Sequence, residues 1–249
     1  MKTTWDYTHL ARSYDARPDY AVSAIDELLK VAGIEPSTPV ADIGAGTGKL
    51  TKLLLERGGG LTVHAVEPND AMRAFGIANT EGGSVRWSEG TGEDNGLPDR
   101  HYGLITFGSS FNVTDRENTL IETARCVADR GWFACMWNHR DLDDSLQQKV
   151  EQAIQERVEG YAYGSRREDQ TDTIDGSGLF GPVTRIEGQV RHTVPVATYM
   201  EAWRSHATLE RQAGDAFEAV IDAIHTLLDG LDSITVPYTT RLYCAQLRG

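Results

Sequence analysis

Apolar positions along the chain change period in a regular way. Residues 40–43 form an apolar run interrupted by Asp42, the pattern of a buried strand, and residues 49–56 then set Leu50, Leu53 and Leu54 on one side of a helix. Three glycines, Gly44, Gly46 and Gly48, make the turn between them. Ahead of this unit, residues 22–31 carry Ile25, Leu28 and Leu29 at helical spacing and stop at Gly33. Behind it, Gly58-Gly59-Gly60 breaks the chain before a second β-rich run that ends at Glu67. Strand, helix and strand joined this way predict a right-handed parallel unit.

The alternation continues, with a helix expected over 69–78, a short strand over 84–87, a fourth strand over 101–108, a helix over 118–128 and a fifth strand over 131–137. Beyond Leu142 the character changes. Residues 145–158 read as a polar amphipathic helix, 161–175 as charged chain and 183–194 as β-rich, followed by helices over 198–211 and 216–228. Residues 236–245 then close the sheet as an antiparallel hairpin with the 183–194 strand. The expected fold is α/β, a single domain of 249 residues built on parallel strands plus a C-terminal antiparallel hairpin. Clustered aromatics in residues 1–20 (Trp5, Tyr7, Tyr14, Tyr20) suggest a lid, and residues 141–180 an insert on the substrate side.

The glycine turn is the first chemical signal. A dinucleotide fingerprint wants its third glycine where Lys49 stands, so a pyrophosphate-bearing cofactor fits poorly. Asp42 precedes the turn, and Glu67 stands nineteen residues beyond Gly48 at the end of the next strand, where a carboxylate accepts ribose hydroxyls. Ligands in open α/β sheets collect at the carboxyl edge, so residues 109–112 after the fourth strand are expected at the junction of cofactor and substrate.

Composition narrows the partners. Lys and Arg number 24 against 37 Asp and Glu, and the net charge of −13 argues against broad contact with nucleic-acid phosphates. Cys126, Cys135 and Cys244 lack paired spacing, so neither a disulfide framework nor a thiolate metal site is expected, and a reducing cytoplasm fits. No apolar run is long enough to span a membrane. A homo-oligomer stays open.

The pattern Asp42-x-Gly44-x-Gly46-x-Gly48, with Glu67 in register, resembles the first motifs of class I S-adenosylmethionine-dependent methyltransferases, in their type 11 small-molecule group. The resemblance implies a Rossmann-like sheet and S-adenosylmethionine as cofactor. It further implies cofactor contacts from Tyr14 and Arg17 within Tyr14-Asp-Ala-Arg17-Pro18-Asp-Tyr20, from Asp42, Gly44 and Gly46, from Glu67, Pro68 and Met72, and from Ser109. In the segment Glu89-Gly-Thr-Gly92-Glu93-Asp94 the Gly92 amide and the Glu93 carboxylate are expected at the adenine edge. One departure is Gly103, where the family usually has Asp.

Methyl transfer from a sulfonium is an in-line displacement that needs positioning and exclusion of water rather than a dedicated nucleophile. Tyr7 and Tyr14 are candidates to hold or deprotonate the acceptor, Phe111 and Asn112 to set its distance. His139 and Arg140, at the exit of the fifth strand, fall either on the acceptor or in solvent. Residues 108–114 and the aromatic N-terminus resemble N-methyltransferases of lincosamide-type antibiotic biosynthesis, implying a small-molecule amine acceptor. O- or C-methylation, a non-catalytic cofactor-binding scaffold and, more remotely, a dinucleotide oxidoreductase remain as alternatives.

Overall fold

The computed structural model describes residues 17–162 and 167–249. Tyr7 and Tyr14, and with them most of the expected lid, lie outside the described residues. In chain order the elements are α1 (Val22–Val31), β1 (Val40–Ile43), α2 (Lys49–Arg57), β2 (Val63–Val66), α3 (Asp70–Asn79), β3 (Val85–Ser88), β4 (Tyr102–Gly108), α4 (Arg116–Cys126) and β5 (Val127–Arg140). Then follow α5 (Ser145–Gln155), α6 (Thr171–Gly176), β6 (Thr184–Pro195), α7 (Val196–Arg204), α8 (Ala207–Ala213), α9 (Phe217–Thr226) and β7 (Ser233–Gln246).

The strands form one sheet in the order β3-β2-β1-β4-β5-β7-β6. β1 to β5 are parallel, and β7 inserts antiparallel between β5 and β6, which is the expected C-terminal hairpin. Strand order reverses between β1 and β4, so a crevice opens there at the carboxyl ends. Asn and Asp side chains cap the starts of three helices. Asn69 accepts from the Met72 amide, Asp115 from Asn118, and Asp144 from both Leu146 and Gln147.

Each face of the sheet carries its own apolar layer. On one, α1 and α2 bring Ile25, Leu28 and Leu54 against Val63, Leu104 and Met136. On the other, Phe107, Phe111, Phe133 and Phe180 pack with Ile174 and Trp137. A third cluster lies apart, where α5, α7, α8 and α9 meet the ends of β6 and β7 through Ile154, Trp203, Leu209, Ile221, Val194 and Ile234. Of residues 141–180, α5 with Val158 and Tyr161 joins this cap, whereas Ile174 and Phe180 pack in the sheet's core, and α7 to α9 supply the rest.

Other boundaries move for local reasons. The helix expected at 118–128 starts at its Asp115 cap and ends at Cys126, and β5 begins at once, with a register shift between the pairs Tyr102↔Val127 and Leu104↔Trp132. The single helix expected over 198–211 is two, because His206 caps a new one by accepting the Leu209 amide on Nδ1. At Gly103 a Cβ would stand 2.3 Å from Thr38 Cγ2, so the side chain usual in the family has no room here. The three cysteines are free and buried. Among the described residues no helix is long and apolar enough to cross a membrane.

Two expected acceptor contacts are corrected. Phe111 is fully buried, with its ring centroid 5.7 Å from that of Phe107 and 5.2 Å from that of Phe133. Asn112 accepts the Trp137 indole N–H at 2.8 Å. After Gly108 the chain leaves extended geometry for a single 3₁₀ turn over Phe111–Val113, which rotates both side chains out of the crevice and into the layer below. Phe111→Ala is therefore expected to cost about 3–5 kcal/mol of stability in urea unfolding, the range for truncating a buried aromatic. A loss under about 1 kcal/mol, typical of a surface site, would contradict its place in the core.

Candidate active site

A cavity of about 820 Å³ occupies the crevice, between the carboxyl edge of the sheet and the cap. One end is made by the turns after β1, β2 and β3, the other by the far ends of β5, β6 and β7 with α7.

The β1–α2 turn has positive φ at Gly44 (+65°) and Gly48 (+81°), and a Cβ on Gly44 would meet Ser110 Cβ at 2.5 Å. Most of its amides are already engaged within the protein. Gly44 and Ala45 both donate to Val66 O, at 2.8 and 3.1 Å, and Gly48 donates to Ala45 O at 2.9 Å. The Gly46 amide donates to Glu67 Oε2 at 2.8 Å. A phosphate-binding turn needs such N–H groups directed at the anion, so this one does not suit a dinucleotide.

Glu67 joins two turns. Its Oε1 accepts the Asn69 amide at 2.8 Å while Oε2 holds Gly46, and Arg73 Nη1 donates to its backbone carbonyl at 2.6 Å. Burial raises its pKa, against the two amides and Arg73, which lower it. Each carboxylate oxygen accepts one amide and keeps a further acceptor position at the cavity wall. A ribose diol fits that chemistry.

Asp42 also borders the cavity, from below. It is fully buried, with Oδ2 accepting from Thr51 Oγ1 at 2.7 Å and Oδ1 from Thr106 Oγ1 at 3.0 Å. Burial outweighs those hydroxyls and, with the nearby charge of Glu67, pushes its pKa up to about 7.

Gly92 and Glu93 line the same end, with Pro68 and Met72 nearby. The Glu93 carboxylate accepts the Asp115 amide at 2.6 Å, which ties this loop to the start of α4. Gly92 lies against Thr114 and Thr119, each 2.8 Å from where a Cβ would be. Arg17, Pro18 and Tyr20 line the rim, and the Tyr20 hydroxyl lies 2.9 Å from Ser109 Oγ. Ser109 has φ +59°, a strained value for a side-chain-bearing residue, at the tip of β4 beside the strand-order reversal.

The far end holds His139 and Arg140, for which the sequence left acceptor and solvent open, together with residues to which it assigned no role. Arg140 leaves β5 buried, not solvated. It donates to Gln147 Oε1 at 3.0 Å, pairs with Glu151 at 3.2 Å and lies 4.6 Å from the ring centre of Trp203. Trp203 stacks on His206, with centroids 5.4 Å apart and planes at 26°. Tyr199 donates to the same Gln147 oxygen at 3.1 Å. His139, Arg167, His192 and Tyr238 complete this wall. The one usable signal was the run Trp137-Asn-His-Arg140, because Trp203 and His206 reach the site only through the cap.

The sheet order with its inserted antiparallel β7, and a crevice at the strand reversal, define a Rossmann-like fold. Residues 41–135 match the family model described as a methyltransferase domain. Over those residues the chain is similar to a methyltransferase domain. An uncharacterized methyltransferase of Mycobacterium tuberculosis, Rv3342, is 36% identical over 125 residues, 50% of this chain and 48% of that protein. The chain thus spans about half the length of the curated relatives it matches. Among solved structures, YcgJ of Bacillus subtilis has a TM-score of 0.56 at 16% identity, covering 91% of this chain and 99% of its own. Phosphoethanolamine N-methyltransferase 2 of Haemonchus contortus, in complex with phosphomonomethylethanolamine and S-adenosylhomocysteine, has a TM-score of 0.53 at 13% identity, covering 91% and 52%.

The buried Asp42 makes a pH prediction. An acid whose folded pKa is raised favours the protonated folded state, so its contribution to stability is present below the unfolded value of 3.8 and is lost as pH rises through about 7. Asp42→Asn removes that loss. The variant should gain on the parent by on the order of a few kcal/mol at pH 8, and the two should converge near pH 4, in urea midpoints measured across the range. A gap that widens toward acid pH would refute the assignment.

Proposed function

We propose that the protein transfers a methyl group from S-adenosylmethionine to a small molecule. The observation that carries this reading is the Glu67 carboxylate at a turn most of whose amides are already engaged, an arrangement suited to a nucleoside without a pyrophosphate. S-adenosylmethionine supplies, when bound, an electrophilic methyl on a sulfonium. Glu67 accepts the ribose hydroxyls, Gly92 and Glu93 edge the adenine, and Pro68 and Met72 provide apolar contact. Asp42 supports the turn from beneath through Thr51 and Thr106 rather than reaching out to the ligand. Arg17, Tyr20 and Ser109 stand where the cofactor end meets the acceptor end. The cap excludes water from the transfer.

The narrower reading is N-methylation of a secondary amine in antibiotic biosynthesis, with Tyr7 and Tyr14 holding the acceptor. It rests on the resemblance of residues 108–114 and of the aromatic N-terminus. O- and C-methylation are separated from it by the atom that carries the new methyl in the product, read by NMR.

Titration with S-adenosylhomocysteine by calorimetry tests the cofactor half. Glu67→Ala should weaken that binding about ten- to a hundredfold, the worth of a charge-assisted hydrogen bond of about 1.5–3 kcal/mol. Absence of heat and of thermal stabilisation at millimolar ligand in the parent protein would refute the reading.

A further inference from the structure

Three residues stand abreast on the antiparallel strands β5, β7 and β6, where Asn138 is opposite Thr240 and Thr240 is opposite Gly188. Residues directly opposite one another share a face of the sheet, and all three meet one segment of chain, residues 18–23, at the start of α1. Each holds it differently. Asn138 Nδ2 donates to Pro18 O at 3.2 Å and to Asp19 O at 3.0 Å. Thr240 Oγ1 accepts the Ala21 amide at 2.8 Å and donates to Asn138 Oδ1 at 2.5 Å, which turns the NH₂ of Asn138 toward the two carbonyls. Gly188 contributes room, since a Cβ there would stand 2.7 Å from Ala21 Cβ and 2.8 Å from Ser23 Oγ.

The segment so held belongs to the rim of the cavity, with Arg17, Pro18 and Tyr20 in its wall. It is also tied to the glycine-turn side. Lys49, the first residue of α2, pairs with Asp19 at 2.9 Å, and the Tyr20 hydroxyl lies 2.9 Å from Ser109 Oγ at the tip of β4. Asn138 and Thr240 differ in what they reach. Asn138 lines the cavity, whereas Thr240 is fully buried and does not, so an effect of Thr240 on a ligand has to pass through the segment or through Asn138.

We propose that Asn138 and Thr240 are positioning residues that latch residues 17–20 to the rim of the cavity, so that an adenosyl cofactor is held beneath a closed strap. This rests on the methyltransferase reading and adds how that site is closed. A ligand that binds only under the latched segment has its apparent affinity reduced by the fraction of molecules in which the latch is made. Its binding in turn holds the latch shut.

The test uses the full chain, calorimetric titration with S-adenosylhomocysteine and hydrogen exchange of the Ala21 amide. In the parent protein, saturating S-adenosylhomocysteine is expected to slow that exchange about tenfold or more. T240V keeps the side chain's shape and removes its hydroxyl. It should weaken S-adenosylhomocysteine binding about five- to tenfold and lose most of the slowing, and T240S, which keeps the hydroxyl, should restore both. N138D sets a carboxylate against two carbonyl oxygens and should weaken binding at least as much. Unchanged affinity in folded T240V and N138D, or no slowing at Ala21 in the parent, overturns the latch and leaves these bonds a purely structural role. Should neither variant fold, the exchange result in the parent and the affinity of T240S decide. Failure of S-adenosylhomocysteine to bind the parent would instead remove the methyltransferase reading, and this inference with it.

Discussion

One carboxylate holds the cofactor end together. Glu67 accepts the Gly46 amide with one oxygen and the Asn69 amide with the other, so the turn after β1 and the turn after β2 are fixed at a separation set by a single side chain. Both bonds are charge-assisted and partly buried, and such contacts strengthen as water is excluded. The same geometry determines what the crevice accepts. With its amides directed at Val66 O, Ala45 O and Glu67, the glycine turn offers acceptors to hydroxyls in place of donors to phosphate.

A second carboxylate lies behind the first, and the two interact. Burial, with the charge on Glu67 added, raises the Asp42 pKa, and the hydroxyls of Thr51 and Thr106 oppose that rise without exposing Asp42. The turn between them is therefore supported from inside the sheet by Asp42 and from the crevice side by Glu67. Ser110 adds a third support, donating to Ile43 O at 2.7 Å in the space that a side chain on Gly44 would occupy.

The glycine-turn end of the crevice was readable in the sequence because it is local. Strand, turn and helix are contiguous, the glycines mark positive φ, and Glu67 follows at a spacing set by one crossover. The acceptor end was not readable, because Arg140, Trp203 and His206 come from β5, α7 and the start of α8, which only tertiary packing brings together. Phe111 illustrates the limit of periodicity. Alternation along β4 assigns faces as far as Gly108, but the 3₁₀ turn that follows obeys a different period, and a residue expected at the junction is instead core. The break at His206 was similarly hidden, because its cap depends on a ring nitrogen rather than on the usual Ser, Thr, Asn or Asp.

The separate apolar cluster of the cap has an evolutionary corollary. Val150, Ile154, Met200, Leu209, Val220 and Ile224 pack chiefly on one another and on the outer ends of β6 and β7, not on the layers beneath the glycine turn. Changes confined to distant, unshared contacts combine additively, so the cap can drift while the glycine-turn end of the cavity stays constant. Descendants of such a chain would diverge fastest in α5 and α7 to α9, and slowest around Gly44, Glu67 and Ser110.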